Sequence, residues 1–318
     1  MANIMYVDNI RVEFDQEATV LDVCRKAGVE VPNFCFHSDL SVYGACRMCM
    51  VENLDTGEIS AACTTKPKNG LRIRTNSARL LKYRRMILEL MLSAHCRDCT
   101  ACEKNRSCRL QDMAVRFGIH HVHFQDTREH IPQDQSSPAV QMDYNKCILC
   151  GDCVRVCKEV QGMGILHFAG RGPGLRIEAG DDQQLASTHC VSCGQCAAVC
   201  TTGAITVKNQ IGQAWRALHD PKMRVVIQIA PAVRVALGEA YGIPSGENVL
   251  DQLVTALKIM GADEVYDTIF GADLTVREES QEFLRRLETG ENLPLMTSCC
   301  PAWVRYVENE RPQFLKNL

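Results

Sequence analysis

The chain has 318 residues, a formal net charge of −3 and nineteen cysteines. Its length and 46% hydrophobic content exclude a disulfide-stabilised miniprotein, so the cysteines are expected to bind metal in a reducing compartment. No basic block indicates a nucleic-acid partner, no apolar run reaches the roughly 18 residues of a membrane span, and no signal segment precedes the first strand pattern. We therefore expect a cytoplasmic protein of several domains.

Residues 1–78 begin with a strand, a turn, a second strand and a helix. Two short apolar runs, 4–7 and 10–14, predict the strands. Thr19 is the predicted N-cap of the helix, and Gly28 is its predicted end. This order is typical of the start of a β-grasp ferredoxin, so the segment is predicted to be a 2Fe–2S ferredoxin-like domain.

Four cysteines of this segment have the spacing C-x10-C-x2-C-x13-C and are the predicted 2Fe–2S ligands: Cys35, Cys46, Cys49 and Cys63. Plant-type ferredoxins use a shorter first gap. The longer gap resembles the 2Fe–2S domain of iron-only hydrogenases and of the large peripheral subunit of respiratory NADH dehydrogenase. Gly44 fits a loop that turns tightly beneath a cluster. Cys24 lies outside the set and is predicted to pack in the core, which is also the alternative interpretation of the other four.

Residues 79–125 are predicted to carry a second centre. Helical spacing of apolar residues predicts a helix over 80–92. An H-x3-C-x2-C-x5-C set follows it and can hold a 4Fe–4S cluster: His95, Cys99, Cys102 and Cys108. Cys96 could replace His95, and zinc is the alternative metal for the same four residues. The nearby histidines are predicted to lie in a strand or loop and not in a metal site: His120, His121 and His123.

Residues 126–138 are polar, contain two prolines and are predicted to be a linker. Residues 139–209 then carry two C-x2-C-x2-C-x3-C runs, as in a two-cluster ferredoxin, where the fourth cysteine of each run binds the other run's cluster. One 4Fe–4S cluster is therefore expected on Cys147, Cys150, Cys153 and Cys200. The second is expected on Cys190, Cys193, Cys196 and Cys157. Zinc sites take ligands in pairs and would leave these triplets unexplained.

Residues 210–318 contain no further cysteine run and show alternating strand and helix patterns. The predicted strands are 225–229, 264–269 and 293–296, and the predicted helices are 231–241, 250–260 and 274–287. Such alternation favours an α/β domain with parallel strands. The motif TSCCPAW, residues 297–303, follows the last predicted strand, where α/β proteins commonly build sites.

TSCCPAW is similar to the first catalytic signature of iron-only (FeFe) hydrogenases. Together with the preceding cluster segments, the resemblance covers the full chain and implies the multi-cluster type of that family. It implies that Cys300 binds the cubane of the active-site H-cluster and that Cys299 is the proton donor beside its distal iron. It also implies a proton path through Glu279 and Glu282, which are i and i+3 on one helix face; without the resemblance, both would be interpreted as solvated surface residues.

The fold expected from this resemblance is an α+β multidomain protein that ends with the N-terminal part of the H-cluster domain, residues 210–318. In the family, two later cysteine signatures supply three more cubane ligands, and no cysteine follows Cys300 here. The 318-residue chain by itself is therefore expected not to evolve hydrogen unless a second polypeptide supplies those ligands.

The implied function is an electron-relay arm of a hydrogenase that interconverts protons and H2. The expected partner in a hetero-oligomer is an NAD(P)H-oxidising flavoprotein subunit, a ferredoxin, or both. Two alternatives stay open: a non-enzymatic iron–sulfur subunit of an NADH dehydrogenase or formate dehydrogenase complex, and a hydrogen-sensing relative. The TSCCPAW motif argues against the dehydrogenases.

Overall fold

The computed structural model describes residues 2–180 and 184–318. The chain divides into two compact units, Met1–Lys208 and Asn209–Leu318. Within the described residues, no helix combines the length and the apolar character that crossing a membrane requires.

The first unit opens with a five-stranded sheet of order β2-β1-β5-β3-β4. Only the pairing of β1 with β5 is parallel. Asp8 and Asn9 form the turn between β1 and β2 at positive φ, which confirms the predicted hairpin. The strands are β1 (Asn3–Val7), β2 (Ile10–Phe14), β3 (Met50–Asn53), β4 (Ile59–Ala61) and β5 (Arg72–Arg74).

Helix α1 (Val20–Lys26) packs against this sheet and begins as predicted. The Thr19 hydroxyl accepts the Asp22 amide at 3.2 Å, and the Asp22 carboxylate accepts the Thr19 amide at 3.1 Å. This reciprocal capping satisfies two amides that the helix cannot satisfy itself. Cys24 is fully buried in the same core, in agreement with its predicted packing role.

A second core joins the sheet domain to the following helices. Helix α2 (Ala78–Ser93) is slightly longer than predicted and is followed by α3 (Arg109–Arg116). Their apolar faces enclose residues of three different predicted cluster segments: Phe34, Cys35, Cys46, Met48, Leu88, Cys108, Leu110, Phe117 and Cys150. The segment with three histidines is an irregular loop, in which His123 lies 2.8 Å from the Glu89 carboxylate.

The rest of the first unit consists of two antiparallel strand pairs with a short helix that contains the third cysteine of each run. Strands β6 (Val140–Met142) and β9 (Ile205–Val207) form one pair. Strands β7 (Leu166–Ala169) and β8 (Arg176–Ala179) form the other. The helices are α4 (Asp152–Arg155), which continues as a π-helix over Val156–Val160, and α5 (Gln195–Val199). Short 3-10 turns cover Cys99–Ala101, Tyr144–Lys146, Gly172–Gly174 and Leu185–Ser187.

Arg155 attaches α4 to the loop that carries Cys35. It donates to the Asp152 carboxylate at 2.5 Å, to the Cys35 carbonyl at 2.9 Å and to the Ser41 carbonyl. The Tyr43 ring stacks on Phe168 with centroids 5.9 Å apart. Arg155, paired with Asp152 in its own helix, therefore connects α4 to a loop that lies more than a hundred residues earlier in the sequence.

The second unit is an α/β arrangement with two parallel strands, β10 (Val226–Ile229) and β11 (Glu264–Asp267). This confirms the parallel pairing predicted for the first two strands. The helices of this unit are α6 (Ile211–His219), α7 (Val233–Ala236), α8 (Leu250–Ile259), α9 (Thr268–Thr289) and α10 (Pro301–Glu310). Two 3-10 segments, Leu237–Tyr241 and Pro312–Asn317, follow α7 and α10.

Two predictions for this unit were wrong. Helix α9 begins at Thr268, because the Asp267 carboxylate caps the Ile269 amide at 3.0 Å and ends the preceding strand early. Residues 293–296 are irregular and do not form a strand. Pro294 has no amide proton to donate to a ladder, and the Met296 amide donates to the Asn317 carbonyl at 2.8 Å instead.

The buried ion pair predicts a specific loss of stability. Asp152→Ala would leave Arg155 charged and unpaired in the interior, which should cost about 3 kcal/mol in free energy of unfolding. Urea denaturation at pH 8 measures this, because the Asp152 carboxyl, whose pKa burial raises to about 6, is ionised there. The control is Glu13→Ala, which breaks a pair that is 55% exposed on both sides and should change stability by less than about 0.5 kcal/mol. Equal effects of the two substitutions would contradict the importance of the Asp152–Arg155 pair.

Candidate iron–sulfur centres

The four predicted 2Fe–2S ligands form one buried group. The Cys49 and Cys63 sulfurs lie 3.3 Å apart, and the Cys46 amide donates to the Cys35 sulfur at 3.3 Å. Each of the four residues is at most 5% exposed. Hydrogen bonds from the neighbouring thiols of Cys46 and Cys63 lower the pKa of Cys35. The hydrogen bond between Cys35 and Cys63 raises the pKa of Cys63. Iron would replace the protons that these crowded thiols share.

Gly44 allows the loop before Cys46 to close over this group. Its φ is +72°, a conformation that glycine adopts without strain. A Cβ atom at this position would lie 2.6 Å from Cγ2 of Thr64, which immediately follows Cys63. Both the backbone angle and the lack of space therefore favour glycine at the tight turn that the sequence predicted.

The first predicted cubane set surrounds a small cavity. Its lining includes all four members of the set: Cys147, Cys150, Cys153 and Cys200. Met142, Ile148, Ile177 and Ile205 make the remaining wall largely apolar. Burial raises the pKa of Cys147 to about 11 and that of Cys150 to about 12. Because iron binds the thiolate, the metal must supply the positive charge that this environment lacks.

The second predicted cubane set surrounds a separate small cavity. Three sulfurs come from the later run and the fourth comes from the π-helix of the earlier run: Cys190, Cys193, Cys196 and Cys157. Burial raises the pKa of Cys196 to about 12. The structure thus places the fourth cysteine of each run beside the other run's first three.

The two runs repeat one backbone conformation. Leu149 and Ser192 occupy the same place in their C-x2-C segments and have φ values of +58° and +57°. Gly151 and Gly194, one residue after the second cysteine, have φ values of +77° and +76°. The left-handed conformation is uncommon for a residue other than glycine. Its occurrence at both Leu149 and Ser192 indicates that both loops are shaped to turn three sulfurs toward one centre.

His95 presents an unsatisfied ring nitrogen at the third predicted site. Its Nδ1 atom is buried and has no hydrogen-bond partner among the described residues. Burial lowers the pKa of His95 to about 4, so the imidazole is neutral at neutral pH, the form that binds metal. His95, Cys99 and Cys108 line a common cavity. This donor set fits an iron–sulfur cluster with one histidine ligand.

Two cysteines near His95 have other surroundings. Cys102 lies against Gly203 and not in the lining of this cavity; a Cβ atom on Gly203 would be 2.5 Å from the Cys102 sulfur. The Cys96 amide donates to the Asn145 carbonyl at 3.1 Å, and burial raises the pKa of its thiol. Cys96 and Cys102 are both absent from the lining of the cavity, so the preference for His95 over Cys96 depends on the buried, unpartnered Nδ1 atom of His95.

Across residues 2–180 and 184–318, no three His, Cys, Asp or Glu side chains converge closely enough to hold a single metal ion. In the ferredoxin-like part the cysteines surround cavities instead.

In the second unit, the TSCCPAW motif forms the start of α10. Cys299 and Cys300 are both exposed, and the Cys300 amide donates to the Ser298 hydroxyl at 3.0 Å. Pro301 occupies the first turn of the helix, where its missing amide proton costs nothing.

The two predicted relay glutamates lie on α9. Glu282 accepts hydrogen bonds from Arg285 at 2.6 and 2.9 Å and from Arg286 at 2.7 Å. These bonds lower the pKa of Glu282 to about 2. Glu279 lines an open depression beside it. Within the described residues, no hydrogen bond links Cys299 to either glutamate. Arg286 is not among the site residues predicted from the sequence, although its i, i+4 spacing from Glu282 is a recognisable signal.

Comparison with protein-family models identifies four consecutive segments. Residues 4–78 match a 2Fe-2S iron-sulfur cluster binding domain. Residues 84–123 match the NADH-ubiquinone oxidoreductase-G iron-sulfur binding region, and residues 137–212 match the ferredoxin-like domain of NADH-quinone oxidoreductase subunit 3. Residues 223–318 match the C-terminal domain of the iron only hydrogenase large subunit. These matches confirm the presence of 2Fe–2S, 4Fe–4S and hydrogenase domain types; the individual ligands stay predictions.

Two curated relatives match almost the whole chain. The NADP-reducing hydrogenase subunit HndD of Solidesulfovibrio fructosivorans is 37% identical, over 97% of this chain and 55% of its own length. Iron hydrogenase 1 of Clostridium pasteurianum is 30% identical, over 98% of this chain and 54% of its own length. The chain therefore spans about half the length of these relatives.

A solved structure of an NAD+-reducing [NiFe]-hydrogenase in the H2-reduced state contains a similar chain. The two are 32% identical with a TM-score of 0.61, over 65% of this chain and 88% of that one. The likeness therefore extends to a structure of a different hydrogenase class.

Paired substitutions test whether the fourth cysteines are exchanged. Removing Cys147 and Cys200 together should eliminate one cubane, so iron falls from about fourteen to about ten per chain while the spectrum of the other cubane is unchanged. Removing Cys147 and Cys157 together should damage both cubanes. Iron and acid-labile sulfide assays with electron paramagnetic resonance (EPR), on anaerobically reconstituted protein, measure these outcomes. The reverse pattern would show that each run binds its own cluster.

A second substitution tests the histidine ligand. His95→Ala should reduce the iron content by about four atoms per chain, since it removes one of four ligands from a cubane. Cys96→Ala is the matched control and should leave iron content unchanged. His95→Cys should restore the iron but lower the reduction potential of that cluster, because thiolate adds a negative charge. Loss of iron in Cys96→Ala alone would identify Cys96 as the ligand.

Proposed function

Because the chain belongs to the multi-cluster type of the iron-only hydrogenase family, we propose that it forms the electron-relay arm and the first part of the catalytic domain of such a hydrogenase. Its first 78 residues are a β-grasp 2Fe–2S domain with Cys35, Cys46, Cys49 and Cys63 as ligands. Three 4Fe–4S clusters follow, one on His95, Cys99, Cys102 and Cys108 and two on the exchanged cysteine sets of residues 147–200. Bound clusters supply one-electron chemistry; the polypeptide positions and insulates them.

The packing of ligands from different centres in one core carries this proposal. Cys35 and Cys46 share an apolar core with Cys108 and Cys150. Cys102 approaches Gly203, which is three residues after Cys200. The 2Fe–2S and histidine-ligated centres thus both adjoin the cubane on Cys147, Cys150, Cys153 and Cys200. That cubane is the junction through which either input reaches the second cubane.

The catalytic part is proposed from residues 210–318. Cys300 would bind the cubane of an H-cluster, which would supply the chemistry that interconverts protons and H2. Cys299 would carry a proton at its sulfur. Glu279 and Glu282 continue the path. Because Arg285 and Arg286 hold Glu282 ionised, proton uptake at this carboxylate requires those contacts to loosen.

The proposed partner is an NAD(P)H-oxidising flavoprotein subunit, with ferredoxin as a second possible donor, in a cytoplasmic hetero-oligomer. The similar proteins include a subunit of an NADP-reducing hydrogenase and a chain of an NAD+-reducing hydrogenase, which supports this choice. A relay subunit of an NADH dehydrogenase is the second candidate, favoured by the matches over 84–123 and 137–212. The match over 223–318 favours the hydrogenase.

Electron flow through the junction tests the relay. In the fully loaded chain, rapid mixing with a one-electron reductant followed by freeze-quench EPR should show electrons moving from the 2Fe–2S centre to the second cubane. The Cys147→Ala/Cys200→Ala double variant should slow this step strongly, because the intermediate centre is missing. His95→Ala removes a side input and should leave the step unchanged. Unaltered transfer in the double variant would rule out the junction.

A further inference from the structure

Arg84 is a buried arginine whose side chain ends at the 2Fe–2S loop. It lies on α2 and is 3% exposed. Its Nε atom donates to the Met48 carbonyl at 3.1 Å, and its Nη2 atom donates to the Met50 carbonyl at 2.7 Å. These two carbonyls flank Cys49, so the guanidinium lies directly behind a predicted cluster ligand.

The charge of Arg84 has no close carboxylate partner. Among residues 2–180 and 184–318, no Asp or Glu oxygen forms an ion pair with it. Asp8 attracts it from a greater distance, and that carboxylate is already hydrogen bonded to the Thr75 amide at 2.7 Å. Arg155 donates to the Cys35 carbonyl in the same loop, but it forms an ion pair with Asp152. A buried cation without such a partner is costly unless another anion compensates it.

The arginine is nevertheless charged at neutral pH. Burial lowers the pKa of Arg84 only to about 10, while the Cys49 thiolate acts in the opposite direction. A cluster held by four thiolates is anionic, and its one-electron reduction adds a further negative charge. A fixed cation in a poorly solvated interior stabilises the reduced state more than the oxidised state.

We propose that Arg84 is the buried counter-charge of the 2Fe–2S centre, a positioning residue that raises the reduction potential of that centre and thereby favours electron entry there. This inference rests on the 2Fe–2S centre of the proposed function. It assigns to α2 an electrostatic role besides its packing role: the helix that leads to His95 also tunes the neighbouring centre.

Substitutions of two adjacent arginines test the proposal. Arg84→Gln removes the charge and keeps a donor, whereas Arg84→Lys keeps the charge. Arg85→Gln is the matched control, because Arg85 also donates to backbone carbonyls, those of Phe117 at 2.8 Å and Gly118 at 3.3 Å, in a different turn. The measurement is an EPR-monitored redox titration of the 2Fe–2S signal in the complete, cluster-loaded chain.

In Arg84→Gln we expect the reduced-to-oxidised ratio of the 2Fe–2S centre to fall about tenfold at a fixed potential. This change corresponds to a reduction potential lower by about 59 mV for one electron. Arg84→Lys should retain most of the native potential, and Arg85→Gln all of it. A native potential in Arg84→Gln, or an equal shift in Arg84→Lys, would overturn the proposal.

If Arg84→Gln loses the cluster, the Arg84→Lys variant decides between a counter-charge and a packing role. A cluster retained at the native potential in Arg84→Lys supports the counter-charge, since glutamine and lysine both keep a hydrogen-bond donor and only lysine keeps the charge. Loss in both variants overturns it and leaves a packing role. Absence of any 2Fe–2S signal from the native chain would instead refute the centre itself, and with it that part of the proposed function.

Discussion

Burial of cysteine sulfur is the constraint on which the first unit depends. Twelve of its cysteines line the two ferredoxin cavities or form the compact group near Gly44. Burial raises the thiol pKa values of Cys147, Cys150 and Cys196, so these three sulfurs are poor thiolates until a cation replaces their protons. Folding and cluster binding are therefore expected to be coupled: the fold gathers the sulfurs, and iron makes their gathering electrostatically favourable.

Arginine side chains provide the second level of organisation. Arg155 connects α4 to the Cys35 loop, and Arg84 connects α2 to the carbonyls on either side of Cys49. Both satisfy backbone oxygens that irregular cluster loops cannot pair within themselves. They differ in charge balance: Asp152 neutralises Arg155, whereas no carboxylate of the described residues forms an ion pair with Arg84. The same residue type thus stabilises one contact and, in our proposal, tunes the other.

Local sequence signals predicted local structure well. The Asp8–Asn9 turn and the Thr19–Asp22 capping box depend on residues within four positions of one another, and both are present. The strand expected at 293–296 is absent, because apolar content alone did not account for Pro294 or for the competing acceptor at Asn317. Cys102 was grouped with His95 by spacing, yet it packs against Gly203, a contact that spacing could not reveal.

The cysteine spacing by itself determined which sulfurs belong to one run, since two-residue gaps bring three side chains together through the backbone alone. The same pattern, with the TSCCPAW motif, was sufficient to indicate the family. Only the tertiary structure decided that predicted ligands of three different centres share one core, and that Arg84 and Arg155 reach the same loop from two elements. The reason is physical: these contacts end on backbone carbonyls, which every residue carries, so no residue pattern marks the acceptor in advance.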